Sequence, residues 1–180
     1  MNIFYLHNDP KICAQYHHDM HVNKMILETA QLLCFVHYNK GGTNDIPYKP
    51  NERHHKHPCT LWAGESLDNY LWLCELGIEL AEEHKWRRGN DYYHKSLEII
   101  KWAMNNIPNN MDFNGFTKPA LAMPDDYKTN NPIFSYKTYY IEDKQYWERK
   151  NKTTGIITRI KNTWIKRGNP AWWIDKFDEK

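Results

Sequence analysis

The stretch "DPKICAQYHHDMHVNKMILETAQLLCFVH", Asp9 to His37, decides the fold. Asp9 is a good N-cap and Pro10 suits the first helical position, so a first helix is predicted from about Pro10 to His37. At about 100° per residue, His17, His21, Lys24, Glu28 and Gln31 share one narrow stripe of that helix. Ile12, Tyr16, Ile26, Ala30, Leu33 and Cys34 point the opposite way, while Met20, Met25, Leu32 and Phe35 border the stripe. A helix apolar nearly all round reads as buried, so its ionisable row needs an explanation.

Outward from this helix the pattern stays helical. A loop rich in Gly, Asn and Pro spans residues 39–58. A second helix is predicted from Pro58 through "LWAGESLDNYLWLCELGIELAEEHKWRRG", and its end, with Glu82, Glu83, His84, Arg87 and Arg88, reads as solvated. A third follows in "DYYHKSLEIIKWAMNN" and a shorter fourth in "NPIFSYKTYYIED". Alternation around Thr154-Gly155 predicts a small hairpin between Asp143 and Trp164. The expected fold is mainly α: one domain over residues 1–180, with three major helices, a small β-hairpin and a basic, aromatic C-terminal segment.

With 180 residues, 41% hydrophobic and 14% aromatic, the chain can bury a sizeable core. Its four cysteines are widely spaced without a CxxC, which argues against a disulfide scaffold or a zinc ribbon and for a reducing cytoplasm. "MNIFYLHNDP" lacks a basic n-region, and no stretch approaches the roughly 18 apolar residues of a membrane span, so a soluble, unanchored monomer is expected. There is no Gly-rich phosphate loop, nucleophile elbow or kinase signature, which removes most nucleotide-hydrolysing and acyl-transfer chemistries.

Charge is unevenly spread. Lys144 to Arg167 holds eight basic residues against Glu148 alone, a local charge of +7 that leaves −5 for the rest of a chain totalling +2. Tyr146, Trp147, Trp164, Trp172 and Trp173 lie within or just after this segment as candidate stacking faces, with Arg149, Lys161, Lys166 and Arg167 as phosphate contacts. That combination suits single-stranded or distorted nucleic acid; the plainer alternative is a solvated surface with its aromatics in the core.

The ionisable stripe is the candidate for chemistry, its alternative being an ordinary solvated face. If it is covered, its charges must be paired or shifted, and Lys24 between His21 and Glu28 would be a nucleophilic amine with Glu28 as proton acceptor. His17 and His21 with His57 or Cys59 from "RHHKHPC" give a permissive metal set, kept as the alternative; no metal or cofactor is assigned. Glu65 and Asn69, at the start of the second helix, are expected to look into the same cleft.

A helix carrying His17 and Lys24, a Pro-started helix ending "IELAEEHKWRRG" and the closing "NPAWW" together resemble the phage pyrimidine-dimer DNA glycosylases of the endonuclease V type. The resemblance spans most of the chain in order, with "YWERKNKTTGIITRIKN" as an insertion. It implies a small all-α base-excision enzyme acting on damaged DNA, in host cytoplasm for a phage protein. In that family the N-terminal α-amine attacks the sugar C1′ to form a Schiff base, assisted by a first-helix glutamate. Here Lys24 matches that glutamate, with Glu28 a turn later, and Asn2 is too large for efficient Met1 removal. The implied catalytic set is Lys24 as amine or electrostatic catalyst, Glu28 as acid/base, His21 and His57 as phosphate or leaving-base donors, and Met1 as the alternative amine. A non-catalytic nucleic-acid-binding protein is the third possibility.

Overall fold

The structure is a computed structural model that describes residues 1–42, 46–89 and 91–176. Of the loop predicted over 39–58, residues 43–45 lie outside the described residues. The fold is mainly helical with one two-stranded hairpin. In chain order the elements are α1 (Pro10–Tyr16), α2 (Asp19–Asn39), α3 (Pro58–Ala63), α4 (Leu67–Arg88), α5 (Ser96–Asn105), a 3₁₀ turn (Asp125–Tyr127), α6 (Pro132–Asp143), β1 (Tyr146–Lys150) and β2 (Ile157–Lys161).

The cap predicted at Asp9 acts as expected, and the structure adds a second of the same kind. Asp9 accepts from the N–H groups of Lys11 and Ile12 ahead of α1, and Asn131 accepts from Phe134 ahead of α6, each with proline next in line.

Two predicted helices are broken. The first is interrupted at His17 and His18, both extended, where the His18 side chain caps α2 by accepting from the His21 N–H. Long-range bonds hold this break open. The Asp19 N–H donates to the Thr163 carbonyl, and the Asp19 carboxylate accepts from the Ile165 N–H, the Thr163 hydroxyl and Arg87. The second break lies at Gly64–Ser66: Gly64 ends α3, and the Ser66 hydroxyl accepts from the Asn69 N–H to start α4. "DYYHK" is not helical; α5 starts at Ser96, whose N–H donates to His94 Nδ1.

Helix α2 packs against α4, α5 and α3, and α1 lies against α4. At the crossing of α2, α4 and α5 only a glycine fits, because a Cβ on Gly77 would stand 2.7 Å from Thr29 Cγ2 and 2.8 Å from Ile100 Cδ1. The core runs from Ile3 and Leu6 through Leu33, Leu73 and Ile100 to Tyr140, Trp164 and Trp173. The N-terminal segment threads into it as extended chain, with Phe4 at φ 39, a left-handed conformation that costs a non-glycine residue energy.

Candidate functional site

Three residues of the ionisable stripe line a cleft, with Lys24 at its half-exposed rim. His21, Lys24 and Glu28 look into a cleft of about 320 Å³ closed by the N-terminal segment, α6 and the hairpin. Three features aim the N-terminus at it. The Met1 side chain packs on the small cluster of Cys34, Phe35 and Ile46. Asn2 folds its side chain back, accepting from the N–H groups of Ile3 and Phe4 while its amide donates to the Ala122 carbonyl. The Asn2 backbone N–H then donates to Glu28 Oε2 at 3.0 Å, leaving the Met1 amine 4.0 Å from that same oxygen. Lys24 Nζ lies 3.4 Å from Glu28 Oε1.

One carboxylate therefore stands between two amines of different burial. Lys24 is 48% exposed, so the covered lysine expected from the sequence is not found, whereas Glu28 is 12% exposed. Glu28, not residue 24, is the acidic neighbour of the α-amine.

Beside this group lies a buried histidine cluster. Tyr140 Oη and His21 Nδ1 share a buried hydrogen bond of 2.5 Å. His18 stacks on His21 with ring centres 4.0 Å apart. Because its Nδ1 accepts from the His21 N–H, its proton is on Nε2, a buried N–H with no partner among the described residues. His17 Nδ1 donates to the Cys13 carbonyl at 2.7 Å. Burial pushes His17 down to about 4, with the Arg87 charge adding to the effect, and holds His18 and His21 well below the ordinary histidine range. The cluster is neutral at pH 7.

Rings and cations form the remaining walls. Phe4 stacks on His21 at 4.3 Å, and Tyr139 and Tyr146 line the cleft. Lys24 Nζ sits 5.5 Å from the centre of the Trp147 ring, and Lys144 Nζ 4.5 Å from that of Tyr139. Met1, His21, Lys24, Glu28, Tyr146 and Trp147 are thus brought together. Asn2, Phe4, His18, Tyr139 and Asn162 also line the cleft and were missed. The His17-His18 doublet was the available signal for His18, hidden by reading one unbroken helix.

Most of the other candidates serve structure, Arg149 on the hairpin excepted. His57 caps α3 by accepting from the Cys59 N–H and does not line the cleft; burial, and then the Met1 amine, lower its pKa. His17, His21 and His57 do not converge, and among the described residues no group of three or more His, Cys, Asp or Glu is placed to hold a metal ion. Asn69 is buried, donating to the Trp62 carbonyl and the Thr117 hydroxyl, and Glu65 accepts from that hydroxyl, so neither looks into the cleft.

Trp164 is buried with its indole N–H on the Tyr16 carbonyl. Trp173 is buried edge-on against it, and Trp172 is half-buried among Tyr16, Tyr140 and Trp173. None of the three offers a free stacking face. Lys161 pairs with Asp175, and Lys166 donates to the Trp86 carbonyl. Arg167 grips Glu83 with two bonds of 2.5 and 2.7 Å. Glu83 also takes Arg87, which reaches Asp19, so the helix end read as solvated is a buried ionic clasp tying α4 to α2 and the C-terminal segment.

No family model, curated protein or solved structure matches this chain. Among the described residues, no helix is long and apolar enough to cross a membrane.

Proposed function

We propose that this protein is a DNA glycosylase/lyase that attacks the sugar of a damaged or modified nucleotide with an amine, as its resemblance to the endonuclease V type implies. The observation that carries the reading is the Met1 amine beside the largely buried Glu28 carboxylate, inside a cleft walled by aromatic rings and lysines. Met1 is the preferred nucleophile because its amine is buried in the cleft, whereas Lys24 is half-exposed and serves as the electrostatic partner of Glu28 and of a phosphate.

In the reaction the amine lone pair forms a bond to C1′ while the glycosidic C–N bond breaks, its electron pair leaving with the base. The attacking amine gives up a proton to the Glu28 carboxylate, which passes it to the departing base. Opening of the sugar ring, with O4′ taking a proton from water, gives the Schiff base. Removal of a C2′ proton then expels the 3′ phosphate. The extruded nucleotide rests against Tyr139, Tyr146 and Trp147.

The test is borohydride trapping on abasic and pyrimidine-dimer DNA, with the starting residue verified by intact mass. A covalent complex mapping to Met1, retained in Lys24→Ala and abolished by adding two residues ahead of Met1, is the expected result. An adduct on Lys24 transfers the amine role to it, and no adduct on any such substrate refutes the reading.

A further inference from the structure

The β1–β2 hairpin is larger than the cleft requires. Only its base, Tyr146 and Trp147, lines the cleft; at about 3.3 Å per residue the rest of the strand carries the chain roughly 10 Å farther out, before the turn is counted. The turn is well built. Asn151 pairs backbone to backbone with Ile156, its side chain accepts from the N–H groups of Thr153 and Thr154, and Gly155 takes φ +71.

The register then says what the arm presents. Trp147 pairs with Ile160 and Arg149 with Thr158, so these four share one face, and continuing the register adds Asn151 and Ile156 at the tip. That face begins at the cleft with Trp147 and its partner Ile160, 46% exposed, and ends on Ile156, which is 64% exposed. Apolar side chains at the end of a thin exposed ribbon have no core to enter. Arg149 on this face, Lys150 on the opposite face and Lys152 in the turn make no side-chain hydrogen bond or ion pair with any described residue, unlike Lys161, Lys166 and Arg167. From Lys144 to Lys161 the charge is +5, so the fitting partner is a polyanion that also offers an apolar slot.

The geometry points to the hairpin as a duplex-deforming arm: it lies along a groove of DNA flanking the cleft, sets Arg149, Lys150 and Lys152 on phosphates, and wedges Ile156 between base steps to kink the duplex. Two-stranded ribbons fit DNA grooves, and apolar wedges unstack base steps and bend DNA by tens of degrees. Continuity with Trp147 explains the placement, because a kink beside the cleft loosens the stack from which a nucleotide must be withdrawn. The inference takes its partner from the proposed nucleic-acid reading, but it does not require the amine chemistry.

The probe is a duplex labelled at both ends for energy transfer and carrying a tetrahydrofuran abasic analogue, which cannot form a Schiff base. The wild-type protein is expected to bring the ends closer. Ile156→Ser, exposed and therefore harmless to folding, should lose at least half of that change while still trapping on a short single-stranded abasic oligonucleotide. The triple variant Arg149→Gln, Lys150→Gln, Lys152→Gln should flatten the log–log salt dependence of duplex affinity by about 2 to 3 units. A duplex bound unbent by the wild type, undiminished bending by Ile156→Ser, or an unchanged salt slope in the triple variant overturns the proposal. So does binding to phosphatidylserine vesicles but not to the duplex. Bending without any borohydride adduct sustains the arm and removes the glycosylase reading, so the two fail separately.

Discussion

Lowering the pH from 7 to 5 should destabilise this protein far more than its carboxylates alone can account for, because the histidines beside the cleft are folded in the neutral form. For His17, held at about 4 in the native state against an ordinary 6.5, the unfolded chain binds the proton more tightly throughout the intervening range. The stability it contributes is therefore complete above about pH 6.5 and lost progressively as pH falls toward 4. Between pH 7 and 5 the two protonation equilibria differ by about 2 kcal/mol for this one residue. His18 and His21 shift in the same direction and add to it, as does His84, which burial holds at about 4. Glu83 acts in a different window. Its carboxyl is held below the usual range by hydrogen bonds from Arg167 and Arg87, against the opposing effect of burial, so its contribution is present above about 4.5 and fades only at lower pH. Urea unfolding followed by tryptophan fluorescence at half-unit steps should show a loss of at least about 2 kcal/mol between pH 7 and 5, roughly 4–8 °C in Tm. In His17→Asn, which keeps a donor near the Cys13 carbonyl, the pH slope should shrink by up to one proton whatever the baseline stability. Stability that changes by less than about 0.5 kcal/mol over this range, or a His17→Asn slope equal to that of the wild type, would refute the reasoning.

Two further outcomes follow from the packing and the clasp. Gly77→Ala should cost about 1–3 kcal/mol in urea unfolding, since its Cβ meets Thr29 and Ile100 at distances real side chains do not tolerate. Arg167→Met should cost about 1–3 kcal/mol of stability by depriving Glu83 of two charged hydrogen bonds, yet leave the salt slope of DNA affinity unchanged, because this arginine is already committed within the protein.

The site was half legible. Heptad-scale spacing put His21, Lys24 and Glu28 on one face, and they do share a cleft. What covers that face lies far along the chain. Asn2 binds the Ala122 carbonyl across 120 residues, and Tyr140 reaches His21 across 119, so no local pattern announced either. The tryptophans misled for a related reason: composition counts Trp164 and Trp173 beside lysines, but cannot tell that their indoles turn inward.

The sequence by itself determined the helical class, the proline-marked starts of α1 and α6, the hairpin around Gly155 and the existence of an ionisable face. Each rests on interactions within a turn or a strand pair, where the residue types alone set the preference. Only the tertiary structure decided that the first helix breaks at His17 and His18, that the N-terminal amine meets Glu28, and that Glu83, Arg87, Asp19 and Arg167 form a buried clasp rather than a wet helix end. These depend on partners such as Thr163 and Ile165, 144 and 146 residues from Asp19. Their contacts form only after loop closure has been offset by burial of the shared core, a balance belonging to the whole chain and written in no single window of it.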